Sequence, residues 1–114
     1  NILERAKKRP LKILGSSPKC CIASIILFDQ LSRHIYRDCT DREEKVRECD
    51  HIALNLAEKI ISKNWQYKLN ALENTFALMP FRHKHPPDIL KLEMVLEKIE
   101  KLDKSEKAIK KVTD

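Results

Sequence analysis

Apolar side chains recur along this chain at helical spacing, and the breaks between runs divide it into about five amphipathic segments. The first, about Ile2 to Lys8, stops before Pro10. "GSSP" at 15–18 reads as a linker and a start signal, with Ser17 as N-cap and Pro18 at the first helical position of a segment reaching about Tyr36. A third segment opens at "TDRE", where Thr40 and Glu43 have capping-box spacing. Its stripe is Val46, Cys49, Ala53, Leu56, Ala57 and Ile60. The fourth starts after Asn64, with Trp65, Leu69, Leu72, Phe76 and Met79 as a helix-pairing seam and Pro80 as its end. "FRHKHPP" makes a stiff, basic connection. The fifth turns Leu92, Val95, Leu96, Ile99 and Leu102 inward, and its outer face carries Glu97–Lys101, Glu100–Lys104, Asp103–Lys107 and Glu106–Lys110 at i,i+4.

Short connections between such helices make antiparallel neighbours, so the expected fold is all-α, a stack of helical hairpins. One glycine in 114 residues agrees, because tight β-turns lean on glycine. A basic arm with a short helix is expected over 1–17 and a helical-hairpin domain over 18–114. No repeat of tetratricopeptide length is visible.

Net charge is +6, and most of it lies in "RAKKRPLK" near the N-terminus. Arg5, Lys7, Lys8, Arg9 and Lys12 are therefore the candidate contacts for nucleic acid, although no aromatic residue interleaves with them as a stacking platform. The longest apolar run, Ile22 to Phe28, is broken by Ser24 and far short of a membrane span, so no membrane association is expected. Four cysteines without a C-x-x-C pair read as reduced thiols of an intracellular, cytoplasmic protein. The chain opens on Asn1, not Met, which reads as a processed product or a piece of something longer; an organelle is the alternative location if a targeting segment precedes it.

The segment "IILFDQLSRHIYR" (25–37) places charge directly beside its most apolar run. On a helical wheel Cys20, Leu27, Phe28, Leu31 and Ile35 make one apolar face, and Ile22, Ile25 and Ile26 make another that continues into Asp29 and Arg33. An unpaired buried carboxylate would cost several kcal/mol, so Asp29 needs a partner. Arg33, one turn on, is the expected one, with Gln30 and Arg37 extending the network.

The same segment resembles the "LLLDQFPRNIYR" signature of the bacterial domain-of-unknown-function family 924. "DHIALNLAEKII" (50–61) is similar to that family's "D-x-x-A-x-x-x-A" helix, and "LENTFALMPFRH" (72–83) to its "ERxFFYLPFMHSE" segment. The resemblance covers about Ile22 to Leu102. It implies a tetratricopeptide-like, all-helical fold of unknown activity, with Asp29, Gln30, Arg33, Arg37, Asp50, Glu73, Pro80, Phe81 and His83 carrying the shared pattern. It also implies that the family's N-terminal part, rich in Trp and Phe, is missing or replaced. Leu31 and Ser32 stand in place of Phe-Pro, His34 in place of Asn, and Lys84-His85 in place of Ser-Glu. Any acid–base role of that glutamate is therefore lost.

His83 lies in the basic, proline-bounded connection, and hairpins folding back would bring it to Asp29 and Arg33. Asp29, Gln30, Arg33, Arg37 and His83 are thus the candidate ligand-binding residues. No catalytic residue is singled out. Cys49, His51, His34 and Cys39 match no zinc spacing, and a phosphate-binding glycine loop is absent, so neither metal nor cofactor is expected. The first expectation is a scaffold that docks a protein partner. The alternatives are a small-molecule binder or hydrolase-like enzyme using Asp29, Arg33 and His83, and an RNA-associated protein using the basic arm. An open cleft reaching Arg33 and His83 would point to a ligand; a sealed, paired network would point to scaffolding.

Overall fold

The structure is a computed structural model that describes residues 2–113, with side chains through Lys107. Helix α1 (Ile2–Lys7) and the single-turn α2 (Leu11–Leu14) lead into α3 (Pro18–Ile25). That helix runs on through a π-helical turn (Ile26–Leu31) into α4 (Ser32–Ile35). Then come α5 (Arg42–Ser62), a 3-10 turn (Trp65–Lys68), α6 (Ala71–His83) and α7 (Ile89–Thr113). The fold is all-α, with no strand among the described residues.

Residue contacts fix the directions of the helices. Cys21 lies against the Leu56 carbonyl and Arg33 against Asp50, so α3 through α4 runs antiparallel to α5. Glu106 of α7 accepts from the Ala71 amide at the start of α6, while the Asp88 amide meets the Phe81 carbonyl at its end; these two helices are antiparallel as well. Lys19 meets Glu73 and Asp29 meets His83, which makes α3 and α6 parallel neighbours tied at both ends. The expected hairpins are therefore present, α3–α5 and α6–α7. One core fills the space between them, built on Ile25, Phe28, Leu56, Ile60 and Phe81, and Leu3 of α1 is buried in it too. At Gly15 the chain passes close to α5: a Cβ there would lie 3.1 Å from Leu56 Cδ2.

The α5 stripe is as expected, with Cys49, Ala53, Leu56, Ala57 and Ile60 buried. Ser17 caps α3 as expected, its hydroxyl accepting from the Cys20 amide at 3.1 Å with Pro18 at the first position. Ser17→Ala removes that bond and is expected to cost about 1 kcal/mol, read as a lower urea midpoint at unchanged m.

Five expectations need correction. Thr40 is not the N-cap of α5; Asp41 is, without a side-chain capping bond, and the Arg42 amide bonds the Cys39 carbonyl. Trp65 does not open the fourth helix. Asn64 adopts a left-handed conformation (φ 59), Leu69 is extended, and α6 starts at a capping box in which Asn70 and Glu73 bond each other's amides. Leu72, placed inward by the seam, is 67% exposed, and Asn74, Ala77 and Leu78 are buried instead. Pro80 does not end α6 but sits inside it. An interior proline costs about 3 kcal/mol, and the complete burial of Phe81 together with the His83–Asp29 bond offsets it. Finally, the inward arc of α3–α4 lies between the two faces drawn on the wheel. It consists of Cys21, Ile22, Ile25, Phe28, Asp29, Ser32 and Tyr36, while Cys20, Leu31 and Ile35 are exposed. Ser32 and Tyr36 tolerate burial because their hydroxyls donate to the Phe28 carbonyl and to Glu4.

On α7, Val95 is buried and Leu92 and Ile99 pack partly against the core, but Leu96 points outward. Glu97–Lys101 and Asp103–Lys107 close as ion pairs; Glu106 is spent on the α6 N-terminus, and the Lys110 side chain lies outside the described residues. No helix among the described residues is long and apolar enough to cross a membrane.

Candidate functional site

The site forms where the end of α6 crosses the junction of α3, α4 and α5. Asp29, fully buried in the π-helical turn, accepts from Gln30 Nε2 at 2.6 Å through one carboxylate oxygen. The other oxygen lies 2.8 Å from His83 Nδ1. Arg33 is near, 3.8 Å from Asp29, but it is not the principal partner expected. Its guanidinium grips Asp50 of α5 in a two-point bond, 2.9 and 3.0 Å, and also donates to the Asp29 backbone carbonyl. A planar fork with fixed donors prefers a carboxylate it can meet edge-on, and Asp50 presents one.

Asp29, Gln30, Arg33 and His83 are therefore brought together, and Asp50 joins them. Arg37 is not brought in: it is exposed and lines a neighbouring hollow with Cys39, Arg42 and Arg47. Single oxygens of Asp29 and Asp50 and a nitrogen of His83 lie within 4.8 Å of one another, a spacing that could share a metal ion. The Arg33 guanidinium already supplies the positive charge these carboxylates need, and it bonds Asp50 directly.

Above this network an open cleft of about 620 Å³ is lined by Arg33, Asp50, His83, Arg42, Arg47 and Lys84, with Glu43, His51 and His85. Its floor is partly apolar, from Val46, Leu54 and Pro80. Arg42 and Arg47 come from the first turns of α5, five residues apart, and Lys84 and His85 from the turn after α6. Neither arginine nor Lys84 makes an ion pair or a side-chain hydrogen bond among the described residues. Setting Arg33 against Asp50 leaves three unpaired permanent cations facing Glu43. Sequence reasoning missed both arginines, since nothing in "TDREEKVRE" marks Arg42 and Arg47 apart from the other charges of an exposed helix start.

The N-terminal candidates stand elsewhere. Arg5, Lys8, Arg9 and Lys12 are exposed and none lines the cleft. Lys7 is drawn inward, its ammonium between Glu4 and Glu48 and 4.9 Å from the centre of the Tyr36 ring. Burial works to lower its pKa, but bonding to Tyr36 and Glu48 outweighs burial and holds it above the usual lysine value. The four cysteines are free; burial pushes the thiols of Cys21 and Cys49 up to about 11, which leaves them unreactive at neutral pH.

Taken together, these features define an all-α protein with an open, positively charged cleft over a buried carboxylate. The chain belongs to the family described as "Bacterial protein of unknown function (DUF924)", which it matches over residues 1–113. No curated protein and no solved structure matches it.

Proposed function

We propose that this protein binds a small anionic molecule, of phosphate type, in the cleft between α5 and the end of α6. The observation that carries this reading is the set of unpaired cations, Arg42, Arg47 and Lys84, around an opening of about 620 Å³. That volume falls within the roughly 300–1,000 Å³ of small-molecule sites. The excess of two positive charges over Glu43 matches a phosphate monoester, which carries about 1.5 to 2 negative charges at neutral pH. Forked guanidinium groups suit its oxygens. Arg33, locked on Asp50, forms the fixed rear wall, and the apolar floor accepts the remainder of the ligand. A docking scaffold would be better served by a sealed network, so ligand binding takes precedence over scaffolding here. The paired hairpins, with α3 and α6 parallel, support a tetratricopeptide-like stack in which such a cleft opens at a hairpin junction.

Calorimetric titration with inorganic phosphate tests the reading. Binding is expected, weakened by added salt, and reduced at least about tenfold by Arg42→Gln with Arg47→Gln, since each charge-assisted bond contributes roughly 1.5–3 kcal/mol. Absence of binding, or equal binding by the double variant, would overturn it.

A further inference from the structure

We infer that the His83–Asp29 pair is a proton-transfer dyad, and that the protein hydrolyses carboxylic esters carrying a second, anionic group. The inference rests on the anion-binding reading and adds chemistry to it. Asp29 is fully buried and bonded on one oxygen by Gln30, so its other oxygen is fixed for His83 Nδ1 at 2.8 Å. A carboxylate accepts and does not donate, so a neutral imidazole in this position carries its proton on Nδ1 and its lone pair on Nε2. No described residue bonds Nε2, and His83 lines the cleft. The base is therefore oriented from behind and open in front. Arg33, held rigid by Asp50, lines the same cleft. Three of its five N–H groups are taken by Asp50 and the Asp29 carbonyl, and the remaining donors suit the negative charge that develops on the carbonyl oxygen in acyl hydrolysis.

In the step proposed, a water oxygen bonds to the ester carbonyl carbon while His83 Nε2 takes one of the water protons. The carbonyl π pair moves onto oxygen, facing Arg33. The tetrahedral intermediate then re-forms the carbonyl and the bond to the alkoxy oxygen breaks. That oxygen leaves with the electron pair and takes the proton back from Nε2, giving an acid and an alcohol with the dyad unchanged. The anionic group of the substrate lies meanwhile against Arg42, Arg47 and Lys84.

The test uses the para-nitrophenyl half-ester of succinate, with neutral para-nitrophenyl butyrate alongside and phosphate binding measured in parallel. The full chain is expected to hydrolyse the half-ester in preference to the neutral ester, with inorganic phosphate as competitor. His83→Gln is expected to lower kcat by at least about 100-fold while leaving phosphate affinity within about threefold, the loss typical of a missing general base. Equal hydrolysis by His83→Gln, or phosphate binding with no hydrolysis by the unaltered chain, overturns the dyad and leaves anion binding standing. Failure of phosphate to bind removes the reading beneath it. Should His83→Gln unfold, the unaltered chain decides: a slower rate in D2O supports proton transfer in the rate-limiting step, and equal rates in H2O and D2O overturn it.

Discussion

Asn74→Asp lowers stability by about 3–5 kcal/mol at neutral pH, the cost expected when a fully buried amide that donates to carbonyls is replaced by an unpaired anion facing them. Asn74 is fully buried in α6, and its amide nitrogen is shared among the carbonyls of Gln66 (3.0 Å), Leu69 (3.2 Å) and Asn70 (3.0 Å). Those groups lie where the 3-10 turn ends and α6 begins; the Gln66 and Asn70 carbonyls also accept from the Leu69 and Asn74 backbone amides, and the side chain adds a bond to each and reaches the Leu69 carbonyl as well. One side chain therefore closes the break between the two elements. Aspartate has nearly the same shape but presents oxygens only, so the damage comes from chemistry and not from lost volume. Urea denaturation at neutral pH reads the loss directly. Lowering the pH is expected to return part of it, because a protonated carboxyl regains one donor. A variant as stable as the parent would mean that these carbonyls are satisfied in some other way.

Arg33→Ala carries the second large effect, on stability and on binding together. The guanidinium is about one-third exposed and Asp50 about one-quarter, so the pair lies between a surface bridge and a fully buried one. Its loss is expected to cost about 2 kcal/mol, between the small values of surface pairs and the 3–5 kcal/mol for breaking a buried one. The consequence for the cleft is larger. Without Arg33 the Asp50 carboxylate faces the cavity uncompensated and opposes any anion there. Phosphate affinity is expected to fall at least about tenfold, by roughly one charge-assisted bond. Adding Asp50→Ala removes the opposing charge and should restore part of the affinity, which separates electrostatics from misfolding. Affinity that is unchanged in Arg33→Ala would show that the rear wall takes no part in binding.

Much of the architecture is legible from periodicity and capping alone. The α5 stripe and the Ser17–Pro18 start are local patterns, and local patterns survive folding. The break before α6 was legible too: Asn70 and Glu73 have capping-box spacing, but the regular steps from Trp65 to Met79 look like one helix and conceal it. Burial of Asn74 could not be read, because an asparagine on an inner face makes sense only once the Gln66, Leu69 and Asn70 carbonyls are known to converge on it. The site divides in the same way. Asp29 needed a partner, and that much follows from charge and burial; a helical wheel offers only Arg33 one turn along. The real partners, His83 for Asp29 and Asp50 for Arg33, lie 54 and 17 residues away and are supplied by packing. Family likeness pointed to Asp50 and His83 where periodicity did not. Arg42 and Arg47 were marked by neither.

The double tie between α3 and α6 bears on how the cleft adapts. Lys19 grips Glu73 at one end and His83 meets Asp29 at the other, and both links span 54 residues. The Lys19 side chain is largely exposed, so the buried link at His83 restrains sliding more than the one at Lys19 and holds the jaw of the cleft beside it. The opposite jaw is the leading turn of α5, which starts at Asp41 without a side-chain cap and carries Arg42. Ligands of different size are therefore expected to displace the α5 side first while the His83 side stays in register.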